Sequence, residues 1–537
     1  MATPLLISTR SALTRVCLPL LLLVSALAPA AASATGAAVT NISLTNGGRP
    51  FSGDNRLLTT ISPNGDGIRD RATIHFRLSA PAVVHFEIAA VDPRRPKPVE
   101  TRTIHLGAGQ HSIVWAPSRA TEPRTYLALL HVGGVTYGAL RYAQAGRLVT
   151  PVIRVRGVDA SFSQESYVPR STARLTVSTD ARSLRLDVLR SGPGHDPRLT
   201  NFDVFGPVMD EPITVPWNHP NSPHSINVSI GNWPSGVYFL RLTADDGRVG
   251  YAPLIVRPTQ LGEHRVAVVM PTFTWQAYNF EDENGDGWGD TWYASWDERA
   301  TVRLGRHYVG RGIPPHFRQY DLNFLHWLTW RNRGVDYLAD SDIASGASAA
   351  TLAQAYDLII FPGHHEYVTP REFRVMHGYR NLGGNLAYLS ANNFYWHTVR
   401  HGDRLQRTAT FRSLGEPEEA LMGAQYRANN GGQHQKPWVV VHAEVAPWLF
   451  VGTGLHNGSS FGRGGVEIDE IGSAAPPGTK MIATIPHVIG NHSAQMSFYE
   501  QGGAKVFSAG AFTLAGQATS PEVSPLLDNL WRYMTKP

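Results

Sequence analysis

From about residue 40 to residue 150, apolar and polar positions alternate in steps of two. The clearest runs are 72–78, 83–88, 111–115 and 125–132. Successive side chains of a strand point to opposite faces, so each run predicts a strand with one buried face. Turn-forming clusters separate the runs, which predicts an antiparallel β-sandwich. A second alternating set follows at 173–177, 184–188, 226–230 and 234–242. The texture changes after Gly262. Residues 266–271 are continuously apolar, as in a parallel strand covered on both faces. A helical pattern follows over 321–330, with Leu322, Leu325, Trp327 and Leu328 on one stripe. Strands are predicted at 334–338, 358–361 and 384–390, with helices at 352–356 and 371–379. Strand alternating with helix predicts βαβ units around a parallel sheet. The expected architecture is therefore multidomain. Two antiparallel β-sandwich modules, 35–150 and 151–260, precede an α/β flavodoxin-like (amidotransferase-like) parallel-sheet domain over 261–537.

Composition supports this division. The chain has 537 residues, 42% hydrophobic and 17% charged, which is globular and too long for one core. Its 51 glycines and 37 prolines suit turn-rich β-modules. The stretch Pro234-Ser235-Gly236-Val237-Tyr238 resembles the late strand of bacterial immunoglobulin-like domains, so the modules are expected to be Ig-like. At the N-terminus, Arg10 and Arg15 precede an apolar run over 16–27 and the small-x-small site Ala32-Ser33-Ala34. This predicts a cleaved export signal over 1–34 and a secreted, bacterial-type protein without a membrane span. The single cysteine, Cys17, falls within that signal, so the remainder has no disulfide, no thiol nucleophile and no cysteine-held zinc. The formal charge of +5 includes both signal arginines and no acid from that stretch, so the remainder is only mildly basic. No basic cluster interleaved with aromatics is present, which argues against nucleic acid as a partner.

Ligands of open parallel sheets bind beyond the carboxyl ends of the strands. Three polar stretches fall at such ends. Gly363-His364-His365-Glu366-Tyr367 follows the strand 358–361, and Ser390-Ala391-Asn392-Asn393 follows 384–389. Thr272–Asn279, with Tyr278, follows 266–271. His364 and Glu366, two apart, suit either a metal or a general base. The plain alternative is that Glu366 caps the helix beginning after Thr369. Asp282, Asn284, Asp286 and Asp290 have the spacing of a Ca²⁺ loop, although position twelve is Tyr293 rather than Glu. The stretch 62–70 repeats that pattern. Gly458-Ser459-Ser460-Phe461-Gly462 matches a nucleophile elbow in letters but lacks its strand and helix.

Taken in order, Pro271 to Asn279, Trp327-Leu328, Val335 to Tyr337, Gly363 to Tyr367, Gly383 to Asn385, Asn392, Gly465 to Asp469 and Gly502 to Gly510 resemble a known family. It is the C-terminal domain shared with the large subunit of N,N-dimethylformamidase, over roughly 262–537. The resemblance implies hydrolysis of an amide or related C–N bond at a mononuclear Fe³⁺ held by two tyrosines and a glutamate. Those positions correspond to Tyr278, Glu366 and, for the second tyrosine, Tyr293 or alternatively Tyr308. It further implies catalytic roles for His364 and Asn392, and a nearby acid placed at Glu500. The substrate is then a small amide or a polymer. Two other readings stand beside this one. One is a non-catalytic surface- or matrix-binding protein with Ca²⁺-stiffened β-modules and a degenerate α/β domain. The other is a carbohydrate hydrolase using Glu467 and Asp469.

Overall fold

The computed structural model describes residues 36–90, 97–138, 150–194, 203–220, 222–287, 289–293 and 301–535. The expected export signal and Cys17 lie outside them. The alternating run Ala72–Leu78 becomes a strand whose Ala72, Ile74, Phe76 and Leu78 are buried. It lies between Val39–Thr45 and Gly109–Trp115 in a three-stranded antiparallel sheet. A six-stranded sheet, built around Thr125–Val132 and Ala82–Ala90, supplies the other wall of the same apolar cluster. A second pair of sheets holds a separate cluster centred on Leu175, Leu184, Leu240 and Leu254. The sandwich expectation is matched only in part. Leu58–Ile61 pairs parallel with Val152–Val155, and Ser166–Tyr167 pairs parallel with Val249–Val256.

The flavodoxin-like domain expected over 261–537 is not there. Among the described residues 41% are strand and 15% helix, and the sheet of this region is not the all-parallel sheet of a doubly wound domain. The sheet instead has eleven strands and is mixed. Asp336–Ala339, Val266–Met270, Leu358–Phe361, Asn385–Tyr388 and Ala504–Ser508 run parallel. Beyond Ala504–Ser508 it continues antiparallel through His492–Gln501, Lys480–Ile489, Gln435–Val440, Ser460–Glu470 and Gln425–Asn429. The continuously apolar strands are the parallel ones, buried on both faces as their composition requires.

The second module is not a bead on a string. Val237, Phe239, Tyr251 and Ile255 turn away from their own module and join the apolar cluster of Val268, Phe317 and Trp327. Phe239 and Phe317 meet edge to face, 5.3 Å between ring centres. Burying a side chain of this size contributes about 2–3 kcal/mol. Polar bonds fix the same junction. The Tyr337 N–H donates to Ser235 Oγ at 2.8 Å, and the Tyr251 N–H to the Arg311 carbonyl at 2.7 Å. Gly312 lies against this contact with φ +88°, and a Cβ there would stand 1.7 Å from the Tyr251 carbonyl oxygen. Only glycine allows that approach.

The first module touches the segment that follows Tyr278. Phe280 packs on Ala89, Leu127 and Leu129, while Gly285 and Gly287 lie against Leu58, Arg154 and Val152. At the edge of this contact, His307 Nε2 stands 2.9 Å from Glu281 and 3.8 Å from Asp159. Burial opposes a charged imidazole, but these two acids outweigh it and raise His307 to about 9.

The junction with the second module makes a direct prediction. Gly312→Ala in the full chain should cost about 3 kcal/mol or more, read as a lowered thermal midpoint or loss of soluble protein. A midpoint equal to wild type would show that the second module is only loosely attached.

Candidate active site

Three of the five parallel strands deliver a loop of the site at their carboxyl ends. Val266–Met270 runs into the buried helix Thr272–Ala277, and Tyr278 caps its C-terminus. Leu358–Phe361 leads to Gly363, which packs so closely on Asp321 that a Cβ would lie 2.1 Å from its Oδ1. Glycine at this point lets the chain turn and present His364 and Glu366. Asn385–Tyr388 leads to Asn392, which adopts a left-handed conformation at φ 51°, a state that asparagine tolerates well. The two loops are laced together. The His365 N–H donates to Asn393 Oδ1 at 2.9 Å, and the Phe394 N–H to the His365 carbonyl at 2.7 Å.

Four side chains converge on the Glu366 carboxylate. Tyr278 Oη donates to Glu366 Oε2 at 2.7 Å and Tyr293 Oη donates to the same oxygen at 2.9 Å. His364 Nε2 lies 3.2 Å from it. Asn392 Nδ2 donates to Oε1 at 3.2 Å. The Tyr278 and Tyr293 rings stack, 4.4 Å between centres. Tyr293 also shares a short hydroxyl contact with Tyr367. A second carboxylate, Glu467, completes the group. It takes Asn392 Nδ2 at 2.7 Å and Asn429 Nδ2 at 2.6 Å, and lies 3.7 Å from His364 Nε2. The next acid on its strand, Asp469, accepts the Asn392 N–H at 2.9 Å.

Burial and charge decide the protonation states. At Glu366 burial favours the neutral acid, but the bonds from His364, Tyr278 and Tyr293 outweigh it and hold the carboxyl below its ordinary range. At His364 burial opposes charge, and Glu366 and Glu467 override it to raise the imidazole. Its Nδ1 faces the Ala391 carbonyl at 3.3 Å, which suits a ring that donates from both nitrogens. Burial raises Glu467, with the charge of Glu366 adding to the effect. Both phenols are raised well above their usual value by burial and then by Glu366.

The cluster forms one end of a cavity of about 1230 Å³. Two phenols and a carboxylate within hydrogen-bond reach of one another form a hard oxygen donor set that fits Fe³⁺. Asn392 Oδ1 is buried beside them without a hydrogen-bond partner. Among the described residues, no group of three or more His, Cys, Asp and Glu is placed to hold a metal ion. The convergent set here is chiefly tyrosine.

Of the residues singled out in sequence, Tyr278, Tyr293, His364, Glu366 and Asn392 come together. Tyr308 does not. It is buried beside a separate small void lined by Glu165 and Gln276. Glu500 does not either. It is exposed on the strand His492–Gln501 and accepts a bond from Tyr533 Oη at 2.8 Å. The acid beside the cluster is Glu467. It is aimed there by a local distortion, since register shifts between Gly465 and Ile468 and Val466 takes φ 65°, a strained state for a β-branched residue. The pair Glu467 and Asp469, two apart on one strand, was the sequence signal for it. The Asp282 loop is closed by its own backbone. Asp282 accepts the N–H groups of Gly285, Asp286 and Gly287, and Asp290 accepts that of Glu283. Burial, with Asp286 and Asp290 nearby, raises Asp282 to about 7. Ser460 opens the antiparallel strand Ser460–Glu470 instead of a nucleophile elbow.

A family model described as N,N-dimethylformamidase beta subunit-like, C-terminal, matches residues 214–522, more than half of the chain. The match takes in every member of the cluster and begins inside the second module, well before residue 262. No curated protein matches the chain. Solved structures similar to parts of it include a Salmonella alpha-2-macroglobulin reacted with methylamine, at 13% identity and TM-score 0.21, covering 41% of this chain and 16% of that one. Red sea bream transglutaminase follows at 12% identity and TM-score 0.15, covering 35% of this chain and 28% of that one. The Yersinia pseudotuberculosis adhesin InvE is at 16% identity and TM-score 0.14, covering 40% and 60%. The chain thus spans less than two thirds of each of these proteins, and overlaps this slight carry no argument about fold.

Asn392 holds two buried carboxylates apart, which fixes the sign of a pH effect. Removing its amide lets Glu467 rise further above its unfolded value. A raised carboxyl costs stability as pH climbs past that unfolded value. Asn392→Ala should therefore lose about 1–3 kcal/mol, with the deficit larger near pH 8 than near pH 5. Thermal unfolding at both pH values checks this, and a deficit that does not change with pH would contradict it.

Proposed function

The chain belongs to the N,N-dimethylformamidase beta subunit-like, C-terminal family, and from that premise we propose that it hydrolyses an amide or related C–N bond at the Glu366 cluster. The observation that carries this reading is the meeting of Tyr278 Oη, Tyr293 Oη and His364 Nε2 on one oxygen of Glu366 at the end of a large cavity. Tyr278, Tyr293 and Glu366 would hold the iron. Ferric iron, when bound there, polarises a carbonyl and lowers the pKa of water.

The remaining steps fall to side chains of this chain. Hydrolysis adds the water oxygen to the acyl carbon, breaks the C–N bond and returns a proton to the leaving nitrogen. His364 Nε2, between Glu366 and Glu467, is placed to carry that proton. Glu467, raised by burial, is suited to take a proton from water and pass it on. Asn392 Nδ2 holds Glu467 and Glu366 in fixed relation and acts as a positioning residue. Asp469 fixes Asn392 in turn through its N–H. Export belongs to the same proposal and rests on the pattern over 1–34. Among the described residues no helix is long and apolar enough to cross a membrane.

Elemental analysis and visible absorption test the reading together. Wild type should carry iron and show a phenolate-to-iron band, while Tyr278→Phe and Glu366→Gln should lose both. Glu467→Gln should keep the iron and lose about 10²–10⁴-fold in amide hydrolysis. Iron-free wild type without that band would overturn the metal assignment.

A further inference from the structure

We infer that the amide brought to this cluster belongs to an N-acylated amino sugar within an oligosaccharide, an assignment that rests on the hydrolase reading above. The size of the cavity comes first. At about 1230 Å³ it is larger than the roughly 300–1,000 Å³ typical of drug-sized ligands, so a small formamide would leave most of it unused.

Its lining is the second argument. Among the described residues that line it, Val466 is the one aliphatic side chain. The cavity's apolar surface is otherwise aromatic, which presents flat ring faces and not an aliphatic slot shaped to a small alkyl amide. Carboxamides are abundant instead: Gln319, Asn323, Asn429, Gln435 and Gln517. Two of these are anchored so that part of each group remains for a ligand. Asn323 Nδ2 donates to the Gly516 carbonyl, leaving its Oδ1, and Gln319 Oε1 meets His316 Nδ1 at 2.8 Å, leaving its Nε2. Gln435 is exposed at the rim, and Arg463 adds a planar donor group there. Alternating donors and acceptors of this kind match the hydroxyl groups of a sugar, each of which donates and accepts.

Aromatic rings supply the third argument. Trp396, Tyr395 and Tyr426 form one wall, with Tyr395 meeting Trp396 and Tyr426 edge to face at 4.9 and 5.2 Å. Arg407 covers a face of Trp396 at 4.4 Å, and Arg412 lies over Tyr395 at 5.0 Å. Tyr426 is half-buried and touches one ring edge-on, which leaves a face for the C–H surface of a pyranose. In hydrolysis, water's oxygen joins the acyl carbon and the C–N bond breaks. A carboxylate leaves, and the free amine stays on the sugar with the returned proton.

The test uses the full chain with three probes: a tetramer of N-acetylglucosamine, a glucose tetramer and an N-acetylated tetrapeptide. Binding is measured by calorimetry and acetate release by proton NMR. The N-acetylglucosamine tetramer should bind and release acetate, and bind more tightly than either other probe. Tyr426→Ala and Gln435→Ala should each weaken its binding about tenfold. Preference for the tetrapeptide, no binding of the N-acetylated sugar, or unchanged binding in both variants would overturn the substrate class. Acetate release from the peptide alone would leave the hydrolase reading standing while removing this one. A tetramer that binds through Tyr426 but is never cleaved by iron-loaded protein would support the sugar site and overturn the hydrolase reading.

Discussion

One buried carboxylate oxygen, Glu366 Oε2, organises the half of the molecule that carries the candidate site. A carboxylate taken out of water needs compensation, and here two phenols and an imidazole supply it together. Because they act on a single atom, three separate chain segments must end within hydrogen-bond reach of it. That requirement accounts for the glycine at position 363, the left-handed Asn392 and the stacking of Tyr278 on Tyr293. It also accounts for the second carboxylate. Glu467 cannot sit beside Glu366 without a shared donor, and Asn392 Nδ2 is that donor. The cluster concentrates negative charge and oxygen donors in a desolvated place; a cation held there would offset the phenols' reluctance to ionise.

The β-modules bear on the same cluster. The segment between Tyr278 and Tyr293 passes over the first module, where half-buried Phe280 packs against Ala89, Leu127 and Leu129. The acidic stretch within it makes the turn that lets Gly285 and Gly287 lie flat on that surface. The second module shares its apolar cluster with the large sheet, which fits a family match that begins at residue 214. The modules therefore serve as walls of the unit that carries the cluster as well as β-structures in their own right.

Local signals were legible in the sequence, and distant pairings were not. The parallel strands could be read from their unbroken apolar runs. Their carboxyl ends gave Tyr278, His364, Glu366 and Asn392, and resemblance to the family added Tyr293. The flavodoxin-like domain failed as an expectation because residues 425–501 extend the sheet with antiparallel strands, joined partly by a hairpin at 480–501 and partly by pairings that skip over intervening segments. Charged and aromatic residues are mixed along these strands, so no clean alternation marks them. The same blindness moved the nearby acid to Glu500. Glu467 reaches the cluster through the distortion at Val466, which leaves no trace in periodicity. The Asp282 loop carries the letters of a Ca²⁺ site, and in the structure Asp282 accepts three backbone N–H groups of the same loop.

Anomalous diffraction from crystals of iron-loaded protein, collected at the iron absorption edge, reaches the central claim most directly. The account predicts one strong peak bounded by Tyr278 Oη, Tyr293 Oη and Glu366. A peak elsewhere in the molecule, or none in protein that elemental analysis shows to contain iron, would contradict it.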